Sequence, residues 1–261
     1  MDQYNCYKTD FLVGITERGD AGLDFSWMEG IHAVEYAVII SKCANKKLED
    51  ALLKYKDKVI YHATCTGLGG TLLEPNVPSI KDKFIHIKNL LFKGFPADQV
   101  VIRIDPIFPK IWEEKLNKNL NINYLNNLRE ILYLAESLGI KRIRYSFLDC
   151  YKHVLKRLET VNKNFIFDKP WNLCYKNEFR LDKINKNFEF ETCCEHDVPP
   201  WHKVGCISKK DLEILKRKDL KFTGHSKQRM LCLCPGNKFE LLDHRHPCTN
   251  NCTYCYWKDN R

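Results

Sequence analysis

The sequence predicts an α/β fold in which a parallel sheet curls into a barrel. Three observations carry this prediction: short apolar runs, helical patterns between those runs, and polar residues or glycines directly after them. The runs are rich in β-branched residues and are bounded by turn residues, as buried parallel strands are. They lie at residues 11–15, 36–40, 59–63, 100–104 and 143–147.

Helical patterns occupy residues 48–55, 80–92 and 125–138, and Gly139 supplies a stop after the last of them. Strands that alternate with helices at this spacing are typical of βα units and a parallel sheet. In such folds the chemistry lies in the loops after the carboxyl ends of the strands. We therefore expect the functional residues at that end of the barrel.

Composition limits the classes of protein to consider. The chain has 261 residues, 44% of them apolar, and a formal net charge of +9. It contains no run of about 18 apolar residues, so no membrane-spanning helix is expected. Residues 1–5 have neither the basic nor the apolar part of an export signal, which favours a cytoplasmic protein. The charge favours an anionic partner, nucleic acid first, although a bias toward Lys and Asn would also produce it.

Polar and glycine residues follow several of the predicted strands. Ser41 and Lys42 follow the second strand, Thr66, Gly69 and Gly70 the third, and Asp105 the fourth. A cluster of glycines alone is more typical of a turn than of a ligand site. Several such loops at one end of a barrel favour a binding site.

Cysteine usage divides the chain. Nine of the thirteen cysteines lie at or after Cys174, and without export they should stay reduced, which points to metal. We divide the chain into the main part of the barrel (1–184), a Cys-rich auxiliary metal segment (185–236), and a last strand with a metal-binding loop (237–261).

The strongest motif is Cys248-x3-Cys252-x2-Cys255. Three thiolates from one short loop can hold three irons of a [4Fe–4S] cluster and leave the fourth iron open. A structural zinc site would need a fourth protein ligand, which His244 or His246 could supply. The motif therefore predicts a cluster, with zinc as the alternative.

A second set of cysteines lies upstream. We predict that Cys194, Cys206, Cys232 and Cys234 converge on one metal, either a second [4Fe–4S] cluster or zinc, with Cys193 as the substitute ligand. The scattered cysteines read as small core residues, with Cys65 as a candidate exception because it ends a strand. These are Cys6, Cys43, Cys65, Cys150 and Cys174.

The loop with Tyr254 before its last cysteine resembles the cluster loop of radical SAM enzymes. The Cys-Tyr form is similar to that of spore photoproduct lyase and DNA-repair-photolyase-like proteins. Residues 73–79, 103–109 and 40–42 resemble further blocks of that group, so the resemblance covers roughly residues 10–150 and 230–257.

The position of the motif departs from the family pattern. The cluster loop normally follows the first barrel strand, whereas here it lies near the other end of the chain. Residues 238–242 have the pattern of a strand. If this strand paired with residues 11–15, it would be the sixth strand of the barrel. We therefore expect a partial TIM-type (β/α)6 barrel that is circularly permuted, with a Cys-rich C-terminal metal-binding segment.

The resemblance implies a [4Fe–4S] cluster and S-adenosylmethionine as cofactors, with flavodoxin or ferredoxin as an electron donor. The cluster would be held by Cys248, Cys252 and Cys255, and reductive cleavage of the cofactor would yield a 5′-deoxyadenosyl radical. It implies that Tyr254 lies near the adenine. Further implied cofactor contacts are Ser41, Lys42, Thr66, Gly69, Gly70, Glu74, Arg103 and Asp105. For Arg103, Asp105 and Glu74, a buried ion pair is the alternative.

The function expected from this resemblance is that of a radical SAM enzyme with an unidentified substrate. The charge and the kinship with DNA repair favour a nucleic acid or nucleotide, to be repaired or modified. The main alternative is a zinc-containing nucleic-acid-binding module without catalysis. An iron–sulfur electron carrier is a third reading, but it leaves the glycine-rich and Arg/Asp loops without a purpose.

Overall fold

Parallel strands form one curled sheet at the centre of the molecule. The computed structural model describes residues 8–108, 112–149, 151–161, 181, 187–195, 202–226, 231–242 and 248–257. Within them the sheet has eight strands, in the order β7-β6-β5-β4-β3-β2-β1-β8. The strands are β1 (Val13–Ile15), β2 (Tyr36–Ser41), β3 (Val59–Thr64), β4 (Val100–Ile107), β5 (Arg142–Phe147), β6 (Glu189–Cys193), β7 (His202–Val204) and β8 (Lys238–Glu240).

Helices connect most of these strands, as parallel pairing requires. They are α1 (Trp27–Gly30), α2 (Lys46–Lys54), α3 (Ile80–Phe92), α4 (Glu113–Leu120), α5 (Tyr124–Ser137), α6 (Lys152–Val161) and α7 (Lys209–Ile214). Side-chain caps fix several starts: the Asn45 side chain accepts from the Leu48 amide, and that of Ser79 from the Asp82 amide. No helix in the described part of the chain is long and apolar enough to cross a membrane.

The five predicted strands and three predicted helices are confirmed, with shifts of one to three residues at some of their ends. Gly139 follows α5 with a φ of 72°, the left-handed conformation that suits glycine at a helix end. The predicted pairing of the last strand is also confirmed. Strand β8 lies parallel to β1, with Val13 opposite Lys238 and Ile15 opposite Glu240.

The expected number of strands was wrong, because the sheet has eight strands rather than six. Both additional strands, β6 and β7, come from the segment 185–236, which was expected only to hold metal. They were not predicted because they are short and contain polar residues. One of these, Glu191, is buried and accepts hydrogen bonds from buried arginines. Helix α4 was also missed, in a stretch rich in Asn and Lys.

The two faces of the sheet pack against different partners. Ile39 and Tyr61 face outward into the layer of helices, whereas Val38 and Ile60 face inward. The inward residues pack with cysteines such as Cys206. Successive strand residues point to opposite faces of the sheet. Because both faces are buried, both carry apolar residues, and the strands are continuous hydrophobic runs in the sequence.

The sheet is curled so far that its two edges approach each other. Gly205 directly follows β7 at one edge, and Cys234 precedes β8 at the other. A Cβ atom on Gly205 would lie 2.7 Å from the backbone nitrogen of Cys234, so only glycine allows this approach. The architecture is therefore a partial barrel whose seam runs between β7 and β8.

A buried network of charges fastens α7 to the inside of the curl. Arg144 is fully buried and donates to the Glu191 carboxylate at 2.6 and 3.0 Å. Arg142 donates to Asp211 of α7 at 2.9 Å and reaches Glu191 at 3.4 Å. Arg144 also donates to the carbonyl of Cys206 at 2.7 Å, so the network supports the cysteines above it.

Candidate metal centre

A cavity of about 200 Å³ opens at the carboxyl ends of the strands. The polar ends of the first five strands and the cysteine-rich segments all contribute to its wall, as expected for a parallel barrel. The wall is formed by Glu17, Gly19, Asp20, Ile40, Ser41, Lys42, Thr64, Arg103, Asp105, Pro106, Ser146, Cys193, Cys194, Cys206, Cys232, Cys248, Asn250, Cys252, Tyr254, Cys255, Tyr256 and Trp257.

The cluster loop, residues 248–255, presents all three of its cysteines to this cavity. Cys252 is buried, while Cys248 and Cys255 are half-buried. Burial raises the pKa of Cys252 to about 12; Lys42 opposes this rise, and Cys255 and Cys248 add to it. All three thiols therefore lie on the wall of the same cavity, where they are candidate ligands of a metal group.

Asp20 holds the cluster loop against the strand ends. Its carboxylate accepts from the Asn250 side chain at 2.5 Å and from the Ser41 hydroxyl at 2.6 Å. It also accepts from the backbone amides of Gly22 and Lys42 at 2.9 and 2.8 Å. One buried carboxylate thus connects the loop after β1, the end of β2 and the cluster loop.

Replacing Asp20 should therefore destabilise the protein. Asp20→Ala leaves several buried donors without an acceptor, and we expect the free energy of unfolding to fall by roughly 3 kcal/mol in urea denaturation. Asp24→Ala is the matched control, because Asp24 accepts one bond, from the Ser26 amide, and should cost about 1 kcal/mol. Equal effects of the two substitutions would contradict the role given to Asp20.

Tyr254, in the cluster loop, is held by a buried ion pair. Lys42 donates to the Tyr254 hydroxyl at 2.9 Å and pairs with Glu74, to which Tyr254 also donates. Thr66 donates to the other Glu74 oxygen at 2.7 Å. Glu74 is fully buried by these partners, and the Tyr254 ring packs edge-on against Phe108.

Arg103 and Asp105 form an ion pair on the cavity wall. The Arg103 Nε donates to Asp105 at 2.9 Å, and Ser146 donates to the other Asp105 oxygen. A second guanidinium nitrogen of Arg103 donates to the Cys206 sulfur at 3.6 Å. The pair that was an alternative for these two residues is therefore present, and both side chains also face the cavity.

A second set of thiols lies close to the first. We call it the five-cysteine group; it comprises Cys193, Cys194, Cys206, Cys232 and Cys234. The sulfurs of Cys193 and Cys206 are 3.3 Å apart. Side-chain hydrogen bonds also link Cys194 to Cys193 and Cys232, and Cys234 to Cys206 and Cys232. The structure thus brings together the four predicted cysteines and their substitute.

Glu17 stands beside this group. Its carboxylate lies within 4.8 Å of the sulfurs of Cys206 and Cys234. Burial raises the pKa of Glu17 to about 8, and the neighbouring Cys206 adds to that rise. The carboxylate also pairs with Lys238, which partly offsets the effect.

The remaining predicted residues divide into two sets. Ser41, Lys42, Arg103, Asp105 and Tyr254 line the cavity, whereas Thr66, Gly69, Gly70 and Glu74 are not among the residues that line it. Gly69 serves close packing, since a Cβ there would lie 2.0 Å from the Pro78 carbonyl oxygen. Gly70 has a φ of 78°, as a turn requires.

Cys43 and Cys65 are buried, as expected of core cysteines, and burial raises the pKa of Cys65 to about 12. Cys43 also donates to the Asn250 side chain at 3.9 Å. The other residues considered, Cys6, Cys150, Cys174, His244 and His246, lie outside the described residues.

Three residues of this site, Asp20, Asn250 and Glu17, were not among the predicted metal ligands or cofactor contacts, although the loop of residues 16–20 was one of the polar loops that follow a predicted strand. Asp20 and Glu17 follow β1, as the chosen candidates follow other strands, and this position is the signal by which they can be found. Asn250 lies between two metal-ligand candidates, and its side chain serves to anchor the loop rather than to bind metal.

Fold and site together define an α/β protein with a curled parallel sheet and two groups of cysteines on one cavity. The chain belongs to the family described as domain of unknown function (DUF1848), whose model matches residues 29–257. No curated protein and no solved structure matches the chain.

Proposed function

We propose that the chain is a radical SAM enzyme whose cluster is held by Cys248, Cys252 and Cys255. One observation carries the proposal: all three cysteines of the loop face the cavity that the polar strand ends surround. The position of β8 beside β1 supports it as well, because this pairing places the loop where a permuted barrel requires it.

The donor set of the loop fits a [4Fe–4S] cluster with one open iron. The loop offers three thiolates, and two of its other polar side chains have partners elsewhere: Asn250 donates to Asp20, and Thr253 donates to the Leu72 carbonyl at 3.1 Å. When bound, such a cluster would supply the electron that cleaves S-adenosylmethionine to methionine and a 5′-deoxyadenosyl radical.

The protein's own residues would position the cofactor and keep water out. Asp20 and Asn250 hold the loop, and the Lys42–Glu74 pair orients Tyr254 at the cavity wall. Arg103 and Asp105 offer charges of both signs to the cofactor or the substrate. Thr66 and Glu74 would act through Tyr254 and Lys42 rather than by direct contact.

We propose a nucleic acid or nucleotide as the substrate, because the chain carries a formal net charge of +9. A redox protein such as flavodoxin or ferredoxin would supply the electron. The competing function is a zinc-containing nucleic-acid-binding module, for which the cavity and its charged wall have no use.

Metal analysis tests the proposal. Protein purified without air should be brown and contain about four irons and four sulfides per chain, the content of one [4Fe–4S] cluster. Replacing Cys248, Cys252 and Cys255 together with alanine should remove all of that iron. Cys65→Ala is the matched control, since Cys65 is a buried cysteine outside both groups, and it should keep the iron. A colourless protein that holds only zinc would contradict the proposal.

A further inference from the structure

The geometry points to a second metal site, in which Glu17, Cys206 and Cys234 bind one divalent ion of the zinc class. The ligands are two thiolates and one carboxylate, and the fourth coordination position is open to the cavity. That position would take water or an oxygen atom of a molecule in the cavity. All three ligands lie outside the cluster loop, so the inference does not rest on the proposed function.

The closeness of three ligand atoms carries the inference. A carboxylate oxygen of Glu17 and the sulfurs of Cys206 and Cys234 all lie within 4.8 Å of one another. Among the described residues, no other group of three His, Cys, Asp or Glu side chains brings its ligand atoms this close together. Two of the four cysteines predicted to share a metal are therefore ligands here, and the third ligand is a carboxylate.

These separations suit a single tetrahedral ion. Zinc binds thiolates at about 2.3 Å and carboxylate oxygens at about 2.0–2.2 Å. Two sulfurs on one ion are then about 3.8 Å apart, and a sulfur and an oxygen about 3.5 Å. Because no pair starts beyond 4.8 Å, each needs to close by about 1.3 Å at most. Three protein ligands with one open position is the form that catalytic zinc sites take.

The fold brings the three ligands together from distant parts of the chain. Glu17 follows β1, Cys206 follows β7 and Cys234 precedes β8. The Glu17 amide donates to both carboxylate oxygens of Glu240 at 3.1 Å, which fixes Glu17 beside β8. Strands β7 and β8 are the two edges of the sheet. An ion on these ligands would therefore fasten the seam and couple metal binding to folding.

Hydrogen-bond donors surround the ligands, as they do around metal-bound groups. Arg103 donates to the Cys206 sulfur at 3.6 Å, and the Cys206 amide donates to the Cys234 sulfur at 3.1 Å. The Glu17 carboxylate accepts from Lys238. A carboxylate has about four lone-pair positions, so it can accept this bond and bind an ion as well. The two cations also offset part of the negative charge of the ligands.

Cys193 is a neighbour of the site rather than a ligand. Its sulfur is 3.3 Å from that of Cys206, but it does not lie within 4.8 Å of all three ligand atoms. A thiol is a weak hydrogen-bond donor, and we assign the Cys193 thiol to donate to the Cys206 sulfur. Serine at this position could donate in the same way, so this role differs measurably from that of a ligand.

The fourth position faces the cavity because two of the ligands are part of its wall. Glu17 and Cys206 line the cavity, whereas Cys234 is fully buried. The cysteines of the cluster loop line the same cavity. A molecule bound there could therefore offer an oxygen atom to the ion.

The first test uses the full chain with Cys248, Cys252 and Cys255 replaced by alanine, so that the cluster loop cannot contribute metal. Elemental analysis should find one zinc per chain and no iron. X-ray absorption at the zinc edge should show two sulfurs at about 2.3 Å and two oxygens at about 2.0–2.2 Å, one of them from water. Three or more sulfurs around the zinc, iron in this variant, or no metal at all would each overturn the inference.

Single substitutions in the same variant test the assignment of ligands. Glu17→Gln, Cys206→Ser and Cys234→Ser should each weaken zinc binding at least about tenfold in competition with a chelator, and should lower the melting temperature. Cys193→Ser and Cys65→Ser are the matched controls, and both should leave the affinity and the melting temperature unchanged.

Loss of zinc in Cys193→Ser, or full affinity in Glu17→Gln, would overturn the assignment. If the ligand variants do not fold, the numbers of sulfurs and oxygens from X-ray absorption still decide. Zinc without iron in the unaltered protein would count against the proposed function alone.

Discussion

Reduced protein should cleave S-adenosylmethionine to 5′-deoxyadenosine even without its substrate, and Cys252→Ala should abolish this activity. Cys252 lies in the middle of the three-cysteine motif, and its loss leaves two thiolates for a cluster that needs three. The fold should survive, because the loop is held by Asp20, Leu72 and Leu73 through contacts that do not involve the sulfur. Chromatographic detection of 5′-deoxyadenosine after anaerobic reduction measures the effect.

Cys65→Ala again provides the matched control. Cys65 is also a buried free cysteine, near the end of β3, and its replacement should leave the cleavage rate within about twofold. Circular dichroism should show that both variants are folded. If protein with a fully loaded, reduced cluster forms no 5′-deoxyadenosine, either with or without DNA or RNA, the proposed radical SAM activity is excluded.

Glu191→Ala should lower the free energy of unfolding by about 3–5 kcal/mol, as the loss of one partner of a buried ion pair does. Glu191 accepts two hydrogen bonds from the fully buried Arg144 and a third from Arg142. Its removal leaves a guanidinium charge inside the sheet without its carboxylate. Urea denaturation followed by circular dichroism gives the change in the free energy of unfolding.

Glu189→Ala serves as the control on the same strand. Glu189 is exposed and pairs with Lys210 at 3.7 Å, a surface ion pair that contributes little. Its replacement should change the free energy of unfolding by no more than about 0.5 kcal/mol. A small effect of Glu191→Ala would mean that water or other groups compensate the charge of Arg144. The network of charges would then not be what holds α7 in place.

The sequence correctly predicted those strands and helices whose apolar pattern follows from local backbone geometry alone. The apolar runs of β2 and β3 are continuous because both faces of those strands are covered, and continuous runs are readable without knowledge of their neighbours. Helix α3 is readable for the same reason, from its cap at Ser79 and its periodic apolar residues. Strands β6 and β7 were not predicted, because β7 is short and has no buried residue, and β6 mixes Phe190 with polar residues. The partners of its buried Glu191 are found only in the folded sheet.

The candidate site shows the same division. The spacing of Cys248, Cys252 and Cys255 is a local feature, and it marks these residues as candidate metal ligands by itself. The upstream cysteines have no regular spacing, so the sequence indicated a metal there without deciding among five candidate sulfurs. The approach of Cys206 to within 4.8 Å of Cys234 appears only when the two edges of the sheet meet.

The sequence by itself predicted an α/β protein, the pairing of β8 with β1, and a loop in which three closely spaced cysteines are candidate metal ligands. The tertiary structure decided which residues serve those cysteines. Asp20 and Asn250 are 230 positions apart in the chain and 2.5 Å apart in space. It also placed Glu74 in a buried ion pair with Lys42 rather than on the cavity wall. The physical reason is that periodicity and spacing record the short-range geometry of the backbone, whereas the partner of a buried polar group is set by the curl of the sheet, which brings distant parts of the chain together.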